Sequence, residues 1–483
     1  MDEQQLLALK PELDQFLDRY VPLLAGDENR VHARRFVQGL LRGGERRNTE
    51  NIAETLDGGP VRCLQAFITT GAWGDAPILR QLRTEVGDQL GAPEAVLNVD
   101  ETGFPKKGTK SVGVKRQYCG TLGRTDNCQI GVFANYCSTK GHTFISRRLF
   151  LPEEWANDRP RRQEAGVPDN VIFRTKPALA LELVAEAVAE GLPFAWVGGD
   201  CLYGDNPTFV QGVRALGKWY VVDVACDNLV WAEEPQVIPA HQRPRRGRGA
   251  APKKPLVVGE RHRIDTLVAA LPAAAWRRVV VGAGSQGPRM YEYAELRVWF
   301  SEDELPGPAE RLLVRRAVGQ VEDLKYHRSN APASVTLEKL AQVRGLRWTI
   351  EEDIQSCKGE CGLDEYETRR WLGWHHHTVL SVLALAFLVF QKHRLGEKRC
   401  SATDHRGCTD GRADARAEPA RCTAAAVGTG DGARGTRAAG ASVGGAHVGH
   451  SRDPQVVPVA TRTKPTRRRQ SSQATARATA TAK

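Results

Sequence analysis

The sequence predicts a mixed α/β protein: a helical N-terminal region, a mixed sheet carrying a β-rich insertion, late helices that complete the core, and a C-terminal tail that is disordered. Three observations carry this. Apolar residues recur at three- and four-residue steps up to about residue 90 and then give way to short apolar runs. Two of those runs, AVLNVD (95–100) and FAWVGGD (194–200), end on an aspartate, with a strongly helical segment between them. Residues 399–483 contain no Leu, Ile, Met, Phe, Tyr or Trp, in a chain otherwise rich in leucine.

In residues 1–90, Leu6, Leu7, Leu13, Phe16, Leu17, Val21 and Leu24 fall on one helical face. The next segment mixes Val31, Phe36, Leu40 and Leu41 with Arg34, Arg35, Arg42, Arg46 and Arg47, and such a surface suits DNA phosphates as well as water. Residues 91–225 form the first part of the core. AVLNVD, QIGVFANYC, HTFISRRLFL, FAWVGGD and WYVVDVA read as strands, and ALALELVAEAVAEG (178–191) as a helix. Residues 226–335 read as the insertion, with a basic Pro/Gly-rich loop at 239–255 and the strand candidates RRVVVGAG, YAELRVWF and ERLLVRRAV. Residues 336–395 return to the core through a helix from Thr336 to Gly359 and another from Trp371 to Lys392; residues 396–483 are the tail.

The chain has 483 residues, 41% hydrophobic and 26% charged, enough for a packed core. No run of eighteen apolar residues occurs, and the acidic N-terminus is unlike a secretory signal, so a cytoplasmic protein without a membrane partner is expected. Eleven cysteines suit reduced thiols, and Cys357 with Cys361 lacks the second pair a zinc site needs. His375, His376 and His377 read as a solvated helix start with no ligand role. The net charge is +11, but the segment from Arg399 to Lys483 holds fifteen Lys/Arg against six Asp/Glu, leaving about +2 for the rest. A DNA-binding reading therefore rests on local clusters such as Lys106, Lys107, Lys110, Lys115 and Arg116, which follow Asp100. The same lysines also suit a guarded strand edge.

Asp100 and Asp200 close apolar strands, where side chains converge on a crevice. An acid there recovers its lost solvation by binding a cation or hydrogen-bond donors. A third acid lies in RGLRWTIEEDIQSCKGECG, where Arg347, Glu351 and Lys358 fall at steps of four and seven on one helix face. That spacing also produces a solvated, ion-paired helix. Three such acids make an oxygen-rich site for hard divalent ions.

The order Asp, Asp, Glu over these elements resembles the ribonuclease-H-like core of DDE transposases. Arg-x3-Glu-x6-Lys is similar to the Tyr-x2-Arg-x3-Glu-x6-Lys signature of a branch of bacterial insertion-sequence transposases. VDETGFPKKGTKSVGVKRQYCGTLGRTDNCQIGVF, LFLPEEW, WVGGDCLYG, KYHRSN and GLDEYETRRWLGWHHH resemble a subgroup of that branch, over about residues 30 to 395. The resemblance implies that Asp100, Asp200 and Glu351 hold two Mg²⁺ ions, with Mn²⁺ an alternative. It implies that Arg347 and Lys358 hold DNA backbone and that Trp348 stacks on a flipped base; Lys106 and Lys107, from the basic cluster after Asp100, would add contacts to backbone phosphates. Arg344 stands where the signature has Tyr. Glu352 and Asp353 rival Glu351, and the fixed steps from Arg347 and to Lys358 select Glu351. The implied partners are the terminal inverted repeats of the element and target DNA, engaged by a homodimer at the nucleoid. The implied reaction is cleavage of element ends by two-metal phosphoryl transfer, then strand transfer. The alternative is a catalytically inactive or cut-only derivative.

The tail is Ala, Gly, Thr and Arg and has no side chains with which to build a core. It reads either as a basic arm or as a segment translated out of frame. Deleting residues 399–483 is expected to leave the melting temperature nearly unchanged, since little apolar area goes with it. Differential scanning fluorimetry checks this, and a large fall would place the tail inside the folded structure.

Overall fold

The computed structural model describes residues 9–44, 46–56, 60–243, 253–282 and 287–404. The tail from 405 onward, with its predicted disorder and frame, lies outside the described residues. Among the described residues five α-helices come first: α1 (Lys10–Leu17), α2 (Asp27–Arg42), α3 (Thr49–Thr55), α4 (Val61–Thr69) and α5 (Ala76–Leu90). Their periodic apolar residues, among them Leu13, Phe16, Leu17, Phe36, Leu40, Phe67 and Leu82, are buried. They join the sheet in one continuous hydrophobic cluster that reaches Phe390.

The sheet begins with β1 (Val96–Pro105), β2 (Lys115–Cys119), β3 (Arg124–Ser138) and β4 (Gly141–Leu149). β3 lies antiparallel to β1, and its far edge carries β2 and then β4, all antiparallel. Two short helices, α6 (Glu153–Asn157) and α7 (Arg159–Ala165), lead to α8 (Lys176–Ala189), which has Pro177 in its first turn and the Thr175 hydroxyl as N-cap. β5 (Trp196–Gly199), α9 (Cys201–Gly204), α10 (Pro207–Ala215) and β6 (Trp219–Val224) follow, with β5 parallel to both β1 and β6. The order β4-β3-β1-β5-β6, three antiparallel strands and then two parallel ones, is the ribonuclease-H-like arrangement.

The segment after β6 extends the same sheet instead of folding apart from it. It contains β7 (Leu229–Trp231), β8 (Gln236–Ile238), β9 (Leu256–Val258), β10 (Arg261–Arg263), α11 (Ile264–Ala269), β11 (Arg277–Gly282), β12 (Arg289–Glu302), β13 (Leu305–Ala317) and β14 (Lys325–Ser329). β14 pairs with β6, and the order runs outward as β14-β13-β12-β7-β10, with β8 and β9 as a separate ribbon. The long β12–β13 hairpin turns at Asp303 and Glu304, both with positive φ, as a two-residue type I′ turn demands.

A buried ion cluster fastens this extension to the core. Arg328 donates to both oxygens of Glu310 at 2.7 Å and to Glu302 at 3.3 Å; Arg214 of α10 donates to Glu302 at 2.6 Å, and the Tyr220 hydroxyl to Glu310 at 2.5 Å. Arg328 also lies 4.0 Å from the Phe300 ring. The Glu310 and Arg328 side chains are at most 4% exposed, so either charge alone would be stranded in the core.

Three expectations for the C-terminal part need correction. The helix expected from Thr336 to Gly359 is two: α12 (Leu337–Gly345) and α13 (Trp348–Cys361). Between them the backbone tightens to i→i+3 bonds, Leu346 to Val343 and Arg347 to Arg344, while Asn98 and Thr349 side chains take the Leu346 carbonyl. The last helix, α14 (Trp371–Asp404), runs beyond residue 396, where the tail was expected to start. His375–His377 are not solvated. His376 is 1% exposed and stacks on Trp73 at 3.6 Å, His377 binds the Gly362 carbonyl at 2.7 Å, and His375 lies 3.1 Å from Asp75. They are buried because α14 is apolar nearly all round and packs on several sides, against β4, α13, α2 and α4. Its stretch Trp371–Leu395 is long and apolar enough to cross a membrane, but 78% of the relevant window is buried inside the protein.

Glu310→Ala is expected to destabilise the protein by about 3–5 kcal/mol, because it leaves the Arg328 charge buried without its bidentate partner. A urea denaturation midpoint indistinguishable from wild type would show that the cluster does not hold the extension in place.

Candidate active site

The end of the parallel strands sets the site. β1 pairs with β5 only over Val96–Asn98, yet it continues beside β3 to Pro105. Beyond Asn98 its β5-side edge is free, and a cleft opens between the strands. Asp100 therefore lies within a strand, not at its end as the sequence suggested; the long β3 ladder carries β1 past it. Asp200 follows β5 directly and caps α9, accepting from the Leu202 amide at 2.9 Å. Close approach here depends on Gly198, where a Cβ would lie 2.2 Å from the Asn98 Oδ1.

Asp100 accepts from the Glu101 amide at 2.8 Å and from Arg347 Nη1 at 3.2 Å. Its side chain is 15% exposed. Burial and then the neighbouring Asp200 charge push its carboxyl up to about 7, against the opposing pull of Arg347. Burial and then Glu101 push Asp200 up to about 6. Glu101 points to the other face, where Lys176 and the Tyr203 hydroxyl each bind it at 2.8 Å. Two crowded, partly buried carboxylates with raised affinity for a positive partner suit a hard divalent cation.

Glu351 is more open, its side chain 57% exposed, and it accepts from Arg347 Nη2. Arg347 thus bridges Asp100 and Glu351. Among the described residues no group of three metal-capable side chains converges on one point. Asp100 and Glu351 are linked through a guanidinium, and Asp200 stands apart from it. The rivals of Glu351 are engaged elsewhere. Asp353, 1% exposed, accepts from Asn135 Nδ2 at 2.9 Å and pairs with His142 Nδ1 at 2.8 Å, and Glu352 lies 3.4 Å from His142 Nε2.

The expected DNA contacts are dispersed. Trp348 is 42% exposed, next to Arg347 in sequence; Arg289 of β12 lies 5.7 Å over its ring and His142 stands edge-on at 6.0 Å. Lys358 Nζ binds the Gly103 carbonyl at 3.1 Å and Thr121 Oγ1 at 3.0 Å, beside β1. Lys106 binds the Tyr366 carbonyl at 3.1 Å, and burial draws its ammonium down to about 8. Lys110 and Lys115 pair with Glu164 and Glu154, each at 2.7 Å, whereas Lys107 and Arg116 are exposed.

Sequence reasoning missed Asp223. It lies on β6, one position past the Gly199–Val222 register pair and so beside Asp200. Arg344 binds it at 2.7 and 2.9 Å and His327 Nδ1 at 2.8 Å. Burial opposes ionisation, but these partners and Arg347 hold Asp223 well below the usual carboxylate range. The Arg at 344, a departure from the signature, thus has a counter-charge of its own. The rule that singled out Asp100 and Asp200, an acid late in an apolar strand, applies equally to WYVVDVA.

Two comparisons bear on this geometry. The profile of a family described as "DDE superfamily endonuclease" matches residues 19–288, a stretch that includes both aspartates and ends before Glu351. The chain is also similar to a protein of Microchaete diplosiphon named "Probable transposase for insertion sequence element IS701", 33% identical over 198 residues, which are 40% of this chain and 48% of that protein. The chain thus spans about half the length of that curated relative.

The raised carboxyls have a consequence for stability. A carboxyl whose folded pKa lies above its unfolded value contributes stability at low pH, and that contribution is lost as pH rises through the folded pKa. For Asp100 the loss runs from about pH 4 to about 7. In chelator, Asp100→Asn is expected to be more stable than wild type at pH 8, on the order of 1–3 kcal/mol, with the gain shrinking towards pH 5. Equal melting temperatures for the two proteins at pH 8 would contradict the crowding described here.

Proposed function

This chain belongs to the DDE superfamily of endonucleases, and from that premise we propose that it is a DNA transposase that cleaves the ends of its element and joins them to target DNA. The observation that carries the reading is the pair of part-buried aspartates on neighbouring strands, both with raised carboxyls, of which Asp100 is linked to Glu351 through Arg347. Asp100, Asp200 and Glu351 would hold two Mg²⁺ ions, or Mn²⁺. Such ions supply activation of a water or 3′-hydroxyl and stabilisation of the leaving oxygen.

The protein's own residues supply position and charge. Asp100 stands within β1 and Asp200 directly after β5, whereas the more exposed Glu351 on α13 would exchange Arg347 for the ion. Trp348, 42% exposed and next to Arg347 in sequence, suits stacking on an unpaired base. Arg347, Lys358, Lys106 and Lys107 are the cations for backbone phosphates. Of these Lys107 is already exposed, and Lys106 and Lys358 would exchange backbone carbonyls for phosphate oxygens. The substrates are the terminal inverted repeats and target DNA, handled by a homodimer in the cytoplasm at the nucleoid. Residues 1–90 serve as the DNA-binding part, 91–225 and 336–395 as the catalytic core, and 226–335 as the insertion.

A second reading, a cut-only or inactive derivative, draws on the Glu351 geometry, since the third acid stands with Arg347 and not with the aspartates. A strand-transfer assay separates the two. The transposase joins pre-cut element ends to a plasmid; a cut-only enzyme leaves them free. Asp100→Ala, Asp200→Ala and Glu351→Ala are each expected to abolish cleavage while binding of element-end DNA persists, because metal ligands act on chemistry more than on docking. A variant of this set that cuts at the wild-type rate would end the assignment of that residue.

A further inference from the structure

Arg347 is the most heavily contested side chain of the site. Its side chain is only 16% exposed, and three carboxylates surround its guanidinium. Nη1 donates to Asp100 Oδ2 at 3.2 Å and Nη2 to Glu351 Oε1. Nε is buried and makes no hydrogen bond; the oxygen facing it is Asp223 Oδ2, at 3.6 Å, just beyond hydrogen-bonding reach.

A divalent ion and a guanidinium cannot both take the same carboxylate oxygens without bringing like charges together. An ion that engages Asp100 and Glu351 therefore deprives Arg347 of both its hydrogen bonds while leaving it part-buried. A part-buried guanidinium without an acceptor is costly. Asp223 is the acceptor within reach. A carboxylate offers about four lone-pair sites; on Asp223, Oδ1 is occupied by His327 Nδ1 and the ion-pair contact of Arg344 Nε, and Oδ2 accepts from Arg344 Nη2 alone. One remains, on the carboxylate that Nε already faces.

We propose that Arg347 is a built-in counter-cation that competes with a divalent ion for Asp100 and Glu351, and that Asp223 is the positioning residue that receives its guanidinium when the ion binds; this rests on the metal-site reading above. Asp223 thereby lowers the cost of metal entry and keeps the arginine beside the acids.

The test is a binding cycle on the full chain without DNA, using Mn²⁺ alone as the probe and electron paramagnetic resonance of free Mn²⁺ as the readout. Arg347→Ala is expected to tighten Mn²⁺ binding at least threefold, since the competitor is gone. Asp223→Asn is expected to weaken it about threefold, since Arg347 is thrown wholly onto Asp100 and Glu351. In the double variant the Asp223→Asn effect disappears. Arg347→Ala binding no more tightly than wild type overturns the competition. A weakening by Asp223→Asn that persists without Arg347 shows that Asp223 acts only as a nearby negative charge, and overturns its role as acceptor. Should Asp223→Asn not fold, Arg344→Ala replaces it in the cycle. It leaves Asp223 to Arg347 and should tighten Mn²⁺ binding only while Arg347 is present; tightening without Arg347, or none with it, overturns the acceptor role. Asp200→Ala is the control for the underlying reading: if wild type binds Mn²⁺ and this variant binds it equally well, the carboxylate site itself is wrong and the inference falls with it.

Discussion

The crowding of carboxylates where β1, β5 and β6 come level governs the rest of the structure. Asp100, Asp200 and Asp223 occupy neighbouring strands at one level, with Glu101 on the reverse face. Burial there makes each negative charge expensive unless a positive group is supplied. The protein answers unevenly. Asp223 has Arg344 to itself and a hydrogen bond with His327, and lies well below the usual carboxylate range, and Glu101 has Lys176. Asp100 has the Glu101 amide and a share of Arg347, and Asp200 the Leu202 amide of a one-turn helix. Two of the acids are settled within the fold and two are left with an unmet demand for positive charge, and that division separates structural carboxylates from those with binding capacity.

The helix that brings the third acid is positioned by polar contacts more than by grease. Asn98 reaches Asn135, Thr349 and the Leu346 carbonyl, and Asn135 reaches Thr349 and Asp353. This chain of buried amides and hydroxyls fixes the start of α13 over β1 and β3 and fixes its rotation as well. Glu351 consequently faces the strand-end cleft, while its successors Glu352 and Asp353 face His142 on β4. One residue of helical rotation separates a carboxylate near the acids from one consumed in the core.

Much of this was legible in the residues. The change of apolar period near residue 95 located the sheet, and the two acids late in apolar runs do come to neighbouring strands, though Asp100 lies within β1 and not at its end. Spacing from Arg347 to Lys358 singled out Glu351, which does adjoin Arg347 and through it Asp100. The break at Leu346–Arg347 was not legible, because it comes from the Asn98 amide some 250 residues away in sequence. The burial of His375–His377 was hidden for a similar reason: polar residues look solvated until the neighbours that satisfy them, Asp75, Ile68, Trp73 and Gly362, are known. The β-rich insertion was recognised as strands, but edge pairing of β14 with β6, which makes it part of one sheet, is a long-range choice that local pattern does not encode.

The route of α14 has a consequence for how the chain is made. This helix, from the far end of the described sequence, packs against α2, α4 and α5 from the other end and seals the cluster they share with the sheet. During synthesis the opening helices emerge early but lack the partner that covers their apolar faces until some three hundred further residues have been added. Contacts of such long sequence separation close slowly, after the loop entropy between them has been overcome. A ribosome that stops before Trp371 releases helices with uncovered leucines and phenylalanines, the kind of surface that chaperones and proteases act upon. Closure of the core therefore waits for α14 to emerge, and a copy interrupted before it is marked for removal by its own exposed interior.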